Sequence, residues 1–229
     1  DTKAFETSNK TSYAPFLDLL TESSIQYTKA FTSGGVTRSG QEAVLCGLLT
    51  GENTSAMRGL LSLNPTCLAR IFKERAPGSA WTGWWHGGDY NFDGQGTFWK
   101  RAGFDVLTSR EGFSSDAPAS FWGVSDYAVV EKLKQGLRDA PLGKTLQLHL
   151  FLSVTNHPDW ALPYDAPEHF MNLRQSEPHL SFASTRYTDA AIESLVSFLK
   201  KEKCAECEDS YWNNTVLVVV NDHGSTVPS

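Results

Sequence analysis

No apolar stretch in this 229-residue chain is long enough to cross a bilayer; the longest is the short run Val216–Val220. No charged-then-apolar leader stands at Asp1, so an exported or anchored form is expected to have lost the segment responsible. Basic residues are in deficit: 20 Lys and Arg against 26 Asp and Glu give a formal net charge of -6, with no basic run. Sequence-independent nucleic-acid binding works by neutralising phosphates, so this balance argues against nucleic acid as a partner. Cysteine is scarce, and four residues are too few for a disulfide scaffold of this size. Cys204 and Cys207 form a C-x-x-C with no second such pair to complete a zinc ribbon, which leaves a disulfide or a metal half-site open. No internal repeat and no low-complexity block is visible.

What is present describes a globular chain. Apolar residues make up 40% and charged residues 20%, enough to build one large core. Seven Trp and thirteen Phe suit a deep core or an aromatic cleft equally well. Sequons at Asn9, Asn53 and Asn213 lean toward an exported glycoprotein. Helix-like and strand-like segments alternate, which points to an α/β domain with a largely parallel sheet. Helical spacing is read over Ala14–Ser24, Gly40–Leu49, Thr66–Arg75, Val124–Arg138 and Ser184–Lys203. Strands are read at Ile25–Phe31, Ala80–Trp85, Leu146–Val154 and Val216–Val220, the last as a central strand buried on both faces. Gly87–Phe121 and Asn156–Phe182 show no clear periodicity and are expected to be functional loops.

In open α/β sheets the site lies beyond the carboxyl ends of the strands. Four constellations sit at such ends. Val216–Val220 runs into Asn221-Asp222-His223-Gly224, where a carboxylate and an imidazole can face one divalent cation; equally, Asp222 could cap a following helix. Thr32-Ser-Gly-Gly-Val-Thr37-Arg-Ser39-Gly40 is a Gly-rich turn entering a helix, with Thr37 and Ser39 as candidate hydroxyl nucleophiles. The plainer reading of that turn is a capping box, with Ser39 as the cap and Glu42 three residues on. Trp84-Trp85-His86-Gly-Gly-Asp89 through Trp99-Lys-Arg101 gathers an imidazole, a carboxylate, a cation and aromatic platforms. Ser153-Val-Thr-Asn156-His157-Pro158 adds another strand-end His.

Taken in order, Tyr27-Thr-Lys-Ala-Phe-Thr-Ser-Gly…Thr37, Gly87-Gly-Asp-Tyr-Asn-Phe-Asp…Ala102-Gly-Phe-Asp, Ser153-Val-Thr-Asn-His-Pro and Tyr187-Thr-Asp-Ala-Ala-Ile…Asn214-Thr-Val-Leu-Val-Val-Val-Asn-Asp-His-Gly resemble the sulfatase-like domain of lipoteichoic acid synthases, within the alkaline phosphatase superfamily. The resemblance runs from about Thr11 to Gly224. It implies a three-layer α/β/α sandwich and a metal-dependent phospho-transferase or phosphoric or sulfuric ester hydrolase. By motif, Thr37 takes the nucleophile's place, Asp222 and His223 those of metal ligands with Thr37 beside them, and His157 that of a histidine near the leaving or entering group. His86, Asp89, Trp99 and Arg101 match the loop that holds a phosphoglycerol head group. The implied cofactor is one divalent ion, Mn, Mg, Zn or Ca. The implied substrate is a phosphate or sulfate ester, a glycerophospholipid or glycan among the candidates. The implied setting is extracytoplasmic, with a membrane tether outside this chain.

Two departures shape the expectations. The family carries an acidic metal ligand on a strand ahead of the segment matching Thr11–Phe31, and continues past Asp-His-Gly with further strands. Residues 1–229 are therefore expected to form a single α/β domain within a longer chain, with an incomplete metal site. A Cys or Ser followed by x-Pro-x-Arg, the mark of aldehyde-type sulfatases, is absent at the nucleophile turn, which favours phospho-transfer. The alternative is a non-catalytic module with a binding role in an extracellular assembly, a partner chain completing its sheet.

Overall fold

The structure is a computed structural model describing residues 12–49, 55–59, 64–176, 179–204 and 209–224. Three parallel strands form its sheet: β1 (Ala80–His86), β2 (Val106–Thr108) and β3 (Leu146–Leu152), in the order β2-β1-β3. β1 pairs with β3 over its whole length, from Ala80 opposite Leu146 to His86 opposite Leu152, and with β2 from Gly83 to Trp85.

Alternation along the strands builds two cores. Successive strand side chains point to opposite faces, and β1 places Trp84 on one face and Trp85 on the other, both buried. Trp84 packs in a cluster with Leu45, Met57, Phe98, Trp99 and Phe104, joined by Leu148, Leu150 and Leu152 of β3. That layer is carried by α2 (Thr37–Cys46), α3 (Ala56–Gly59), α4 (Leu68–Arg75) and α5 (Gln95–Ala102). Trp85 and Phe151 pack instead with Val129, Val130, Leu133, Leu195 and Leu199, from α6 (Asp126–Arg138) and α8 (Leu180–Lys201). The result is a sheet between two helical layers, the three-layer α/β/α arrangement. α7 (Glu168–Ser176) joins α8 through Phe170 and Tyr187.

Outlying pieces are tied in by specific bonds. α1 (Pro15–Thr21) docks on α8 because the buried Asp189 carboxylate accepts from the backbone N–H groups of Phe16 and Leu17, two donors that a helix start leaves without partners. A Cys46–Cys67 disulfide joins the last residue of α2 to the residue preceding α4. Cys204 is disulfide-bonded as well; Cys207, its expected partner, lies outside the described residues.

Several expectations need correction. Ile25–Phe31 is no strand: Ile25 and Phe31 are 83% and 91% exposed, and the segment pairs with none of the three strands. Val216–Val220 also stands outside the described sheet, with Val216, Val218, Val219 and Val220 exposed. β-Branched content reports suitability for a pleated, half-buried surface; a strand also needs a hydrogen-bonded neighbour, and neither segment has one among the described residues. Conversely, the segments read as loops hold order. Gly87–Phe121 contains α5 and β2, and Asn156–Phe182 contains α7. α5 is bounded by Gly94 and Gly103, both left-handed, a punctuation that was present in the sequence.

Candidate active site

Thr37 opens α2, and His223 follows the Val216–Val220 run. The Thr37 hydroxyl lies 3.2 Å from His223 Nε2. His223 Nδ1 donates to the Gly224 carbonyl at 2.7 Å, so in the neutral ring Nε2 carries the free lone pair and accepts from the Thr37 hydroxyl. Asp222 turns one carboxylate oxygen back to accept from the His223 backbone N–H at 2.9 Å, while the other stands 3.7 Å from Nε2. Asp222 therefore holds its own neighbour's N–H, and the helix it could cap would fall on residues outside the described ones. The Thr32 hydroxyl bonds both the Gly34 and the Asp222 carbonyls, which pins the Gly-rich turn to the Asp-His segment.

Gly40 makes this approach sterically feasible. A Cβ there would lie 2.0 Å from the Asp222 carbonyl oxygen, so only glycine lets the first turn of α2 come this close. The capping-box reading of this turn does not hold. The helix begins at Thr37 with Val36 as its cap, and Ser39 lies buried within the first turn. Glu42, fully buried, spends one carboxylate oxygen on Ser55 Oγ and the Met57 N–H.

Arg38, beside Thr37, links the turn to the sheet. Its guanidinium donates to Asp93 at 3.1 Å, and Arg58 donates to the same carboxylate. Asp93 belongs to the segment leaving the carboxyl end of β1, and Gln41 bonds Gln95 in the same region. The Thr37 turn is thereby fastened to the segment that follows His86.

His86 ends β1 and is buried. Its Nδ1 donates to the Leu152 carbonyl at 3.1 Å, locking the ring against the end of β3. Burial lowers its pKa from the ordinary histidine value, partly opposed by that bond, so the ring is neutral with Nε2 free to accept. Gly88 faces Nε2, and a Cβ at Gly88 would sit 2.3 Å from it. Asp89 is exposed and accepts from the Asn91 N–H in a local turn. His157, on the exposed loop after β3, lies with its ring centroid 3.5 Å from that of Trp122.

Trp99 and Arg101 are placed differently from these residues. Trp99 is fully buried on the α5 face of the core, edge-on to Phe98 and Phe104. Arg101 is exposed near the end of α5, where its carbonyl accepts from Arg70 of α4 in the same layer. Among the described residues no hydrogen bond, ion pair or ring contact joins either residue to Thr37, His86 or His223. Spacing reading also passed over Trp122 and Asp126, which hold the loops at the ends of β1 and β3; the clue was Gly123 between an aromatic and a Ser-Asp helix start.

Three donor atoms thus face one another: the Thr37 hydroxyl, one Asp222 oxygen and His223 Nε2. Their chemistry suits a hard or borderline divalent cation, and the carbonyl bond to His223 Nδ1 is the usual support for a ligating imidazole. The set is partial. Among the described residues no three His, Cys, Asp or Glu side chains gather at one point.

Comparison with known proteins is consistent with this frame. The sulfatase family profile matches residues 3–229. Phosphoglycerol transferase I of Xanthomonas campestris pv. campestris is 27% identical over 202 residues, covering 82% of this chain and 27% of that protein. The chain therefore spans about a quarter of its curated relative's length. Among solved structures, an alkaline phosphatase superfamily protein from Vibrio parahaemolyticus superposes with TM-score 0.71 at 22% identity, over 84% of this chain and 46% of that one. The lipoteichoic acid synthase LtaP of Listeria monocytogenes gives 0.66 at 18%, over 84% and 47%. Streptococcus pyogenes phosphoglycerol transferase GacH, solved with sn-glycerol-1-phosphate, gives 0.53 at 14%, over 83% and 52%. These likenesses carry the fold.

Proposed function

The chain belongs to the sulfatase family, and we propose that it is part of a metal-dependent phospho-transferase of the phosphoglycerol or phosphoethanolamine type, or a related phosphoric ester hydrolase, with Thr37 as its nucleophile. The observation that carries this reading is the 3.2 Å contact between Thr37 Oγ1 and a His223 ring whose other nitrogen is tied to a carbonyl. A hydroxyl is a weak nucleophile at its ordinary pKa and needs an activating neighbour.

Thr37, Asp222 and His223 would hold the cation. When bound, it would supply the positive charge that lowers the pKa of the hydroxyl and offsets charge building on phosphate oxygens. Thr37 Oγ1, its proton passing to solvent water on attack and regained from water on release, would attack the phosphorus of a phosphodiester, forming a Thr–O–P ester as the bond to the first alcohol breaks. His157 would give that alcohol its proton. A second alcohol, or water, would then lose its proton to the same ring and attack phosphorus, releasing the Thr37 hydroxyl. His86 Nε2, neutral and facing the Gly87-Gly88 turn, would accept from a hydroxyl of the substrate.

The substrate class follows from this chemistry: a phosphate ester carrying a small polyol head group, in keeping with the phosphoglycerol transferases among the relatives. The donor would be a glycerophospholipid, and a glycan or a second lipid the acceptor. An extracytoplasmic location fits the Cys46–Cys67 disulfide, since such bonds persist in oxidising compartments. A second reading, a non-catalytic module with a binding role, is favoured by the partial ligand set among the described residues.

The test is to incubate the native protein with Mn²⁺ and phosphatidylglycerol and to map covalent adducts by peptide mass spectrometry. A phosphoglycerol ester on Thr37, absent from Thr37→Ala, is expected. An adduct on another residue, or turnover unchanged in Thr37→Ala, would remove Thr37 from the reaction.

A further inference from the structure

Five residues, Trp122 to Asp126, hold together the loops that leave the carboxyl ends of β1 and β3. On the β1 side, the Val124 N–H donates to the Gly87 carbonyl at 2.9 Å. The contact is tight in both directions: a Cβ at Gly123 would lie 2.3 Å from the Gly87 oxygen, and one at Gly87 would lie 2.2 Å from the Val124 oxygen. Two glycines are therefore required for these strands of chain to touch.

On the β3 side the grip is stronger. Asp126 opens α6, and its side chain is fully buried. One oxygen accepts from the Val154 N–H at 2.9 Å and the other from the Thr188 hydroxyl at 2.6 Å; Thr155 bonds it through both backbone and side chain. Burial raises its pKa and the four bonds oppose that rise. Two residues beyond Thr155 the His157 side chain emerges. The Trp122 indole lies against it, 3.5 Å between ring centroids and 38° between planes, and the indole N–H donates to the Pro158 carbonyl at 2.9 Å.

We propose that Trp122 is a positioning residue for His157: its ring backs the imidazole and its N–H fixes the next carbonyl, while Asp126 anchors the Val154-Thr155 backbone from which that loop departs. The proposal rests on the reading of His157 as a group that meets the substrate. Its physical content is rotamer selection. An exposed histidine on a loop samples several staggered side-chain states. Contact with a broad aromatic face on one side, and a fixed backbone on the other, leaves the ring one direction in which to present its free edge. Such preorganisation is worth having where a proton must move within hydrogen-bond reach.

Proton NMR of the His157 ring tests this directly, because an indole face at 3.5 Å shifts the imidazole proton signals upfield. The upfield shift should be present in the native protein, lost in Trp122→Leu and retained in Trp122→Phe, which keeps a ring without the N–H donor. His157 signals unchanged by Trp122→Leu, in a protein whose amide spectrum is otherwise native, would overturn the proposal; so would signals at random-coil positions in the native protein. A parallel titration with sn-glycerol-1-phosphate separates this from the functional reading. Affinity should fall about tenfold in Trp122→Leu and at least as far in His157→Ala, on the order of one lost hydrogen bond. If ring shifts follow expectation and His157→Ala binds glycerol phosphate as the native protein does, Trp122 still sets the ring's direction, and it is the assignment of His157 to the substrate that fails.

Discussion

The Thr37 hydroxyl and the His223 imidazole meet at 3.2 Å although 186 residues separate them in the chain. Two features make this possible: the missing side chain of Gly40, and the Thr32 hydroxyl that bonds the Asp222 carbonyl.

Gly40→Ala should disrupt that meeting. The added methyl would lie 2.0 Å from the Asp222 oxygen, a backbone atom that cannot swing aside. The helix turn and the Asp-His segment must separate, at a cost of roughly 1–3 kcal/mol as for other overpacked sites. Thermal unfolding should shift down and the His223 ring signals should move. Both staying at native values would mean that the close approach is not a feature of the folded protein.

Stability should fall in acid, and His149 should contribute measurably. Burial pushes its pKa from 6.5 down to about 4. Above 6.5 the ring is neutral in folded and unfolded chains, and the linkage contributes nothing. Between 6.5 and 4 the unfolded chain takes up a proton that the folded protein refuses, so stability drops as pH falls, by on the order of 3 kcal/mol in all. Below 4 both states are protonated and the loss levels off. His149 accepts from Trp85 Nε1 at 3.1 Å and contacts Gln147. His149→Gln should give a shallower fall between pH 6.5 and 4 in thermal melts, and an identical slope would rule out His149 as the source.

Reduction should loosen the α2–α4 layer. Cys46 and Cys67 are separated by 21 residues, and closing a loop of that size restricts the unfolded chain by roughly 3 kcal/mol. Replacing both by Ser should lower the unfolding midpoint by roughly 5–10 °C. Thiol titration of the unreduced, denatured protein should find no more than one reactive group. Four would remove both the disulfide and the support it gives to an oxidising compartment.

Sequence reading reached β1 and β3 because an amphipathic helix of clear spacing stands ahead of each, α4 before β1 and α6 before β3, while α8 supplies the longest such pattern. It also singled out the Asp-His and Thr turns, from glycines beside side chains able to do chemistry, although neither turn follows a strand of the described sheet. It misplaced Ile25–Phe31 and Val216–Val220, because strand pairing is a property of neighbours and not of the segment. It missed β2, a three-residue strand whose pairing with β1 is specified by no local pattern. Trp99 illustrates the remaining limit: an aromatic beside Lys100 and Arg101 reads as a ligand platform, whereas helical phase turns it into the core. Trp122 shows the reverse, an aromatic in an unpatterned stretch whose role depends on a loop 35 residues later.

The central claim is that the Thr37, Asp222 and His223 side chains form the cation site. With three donors among the described residues, where four or more are usual, the protein should bind Mn²⁺ weakly. Weak binding still leaves a positional record, because Mn²⁺ broadens nearby NMR signals. Titrating Mn²⁺ into the protein and following its amide and imidazole resonances, the signals of Thr37, Gly40, Asp222 and His223 should broaden first, and Asp222→Asn should abolish that selectivity. First broadening around other carboxylates, or uniform broadening with the Thr37 and His223 signals no more affected than the rest, would contradict the account.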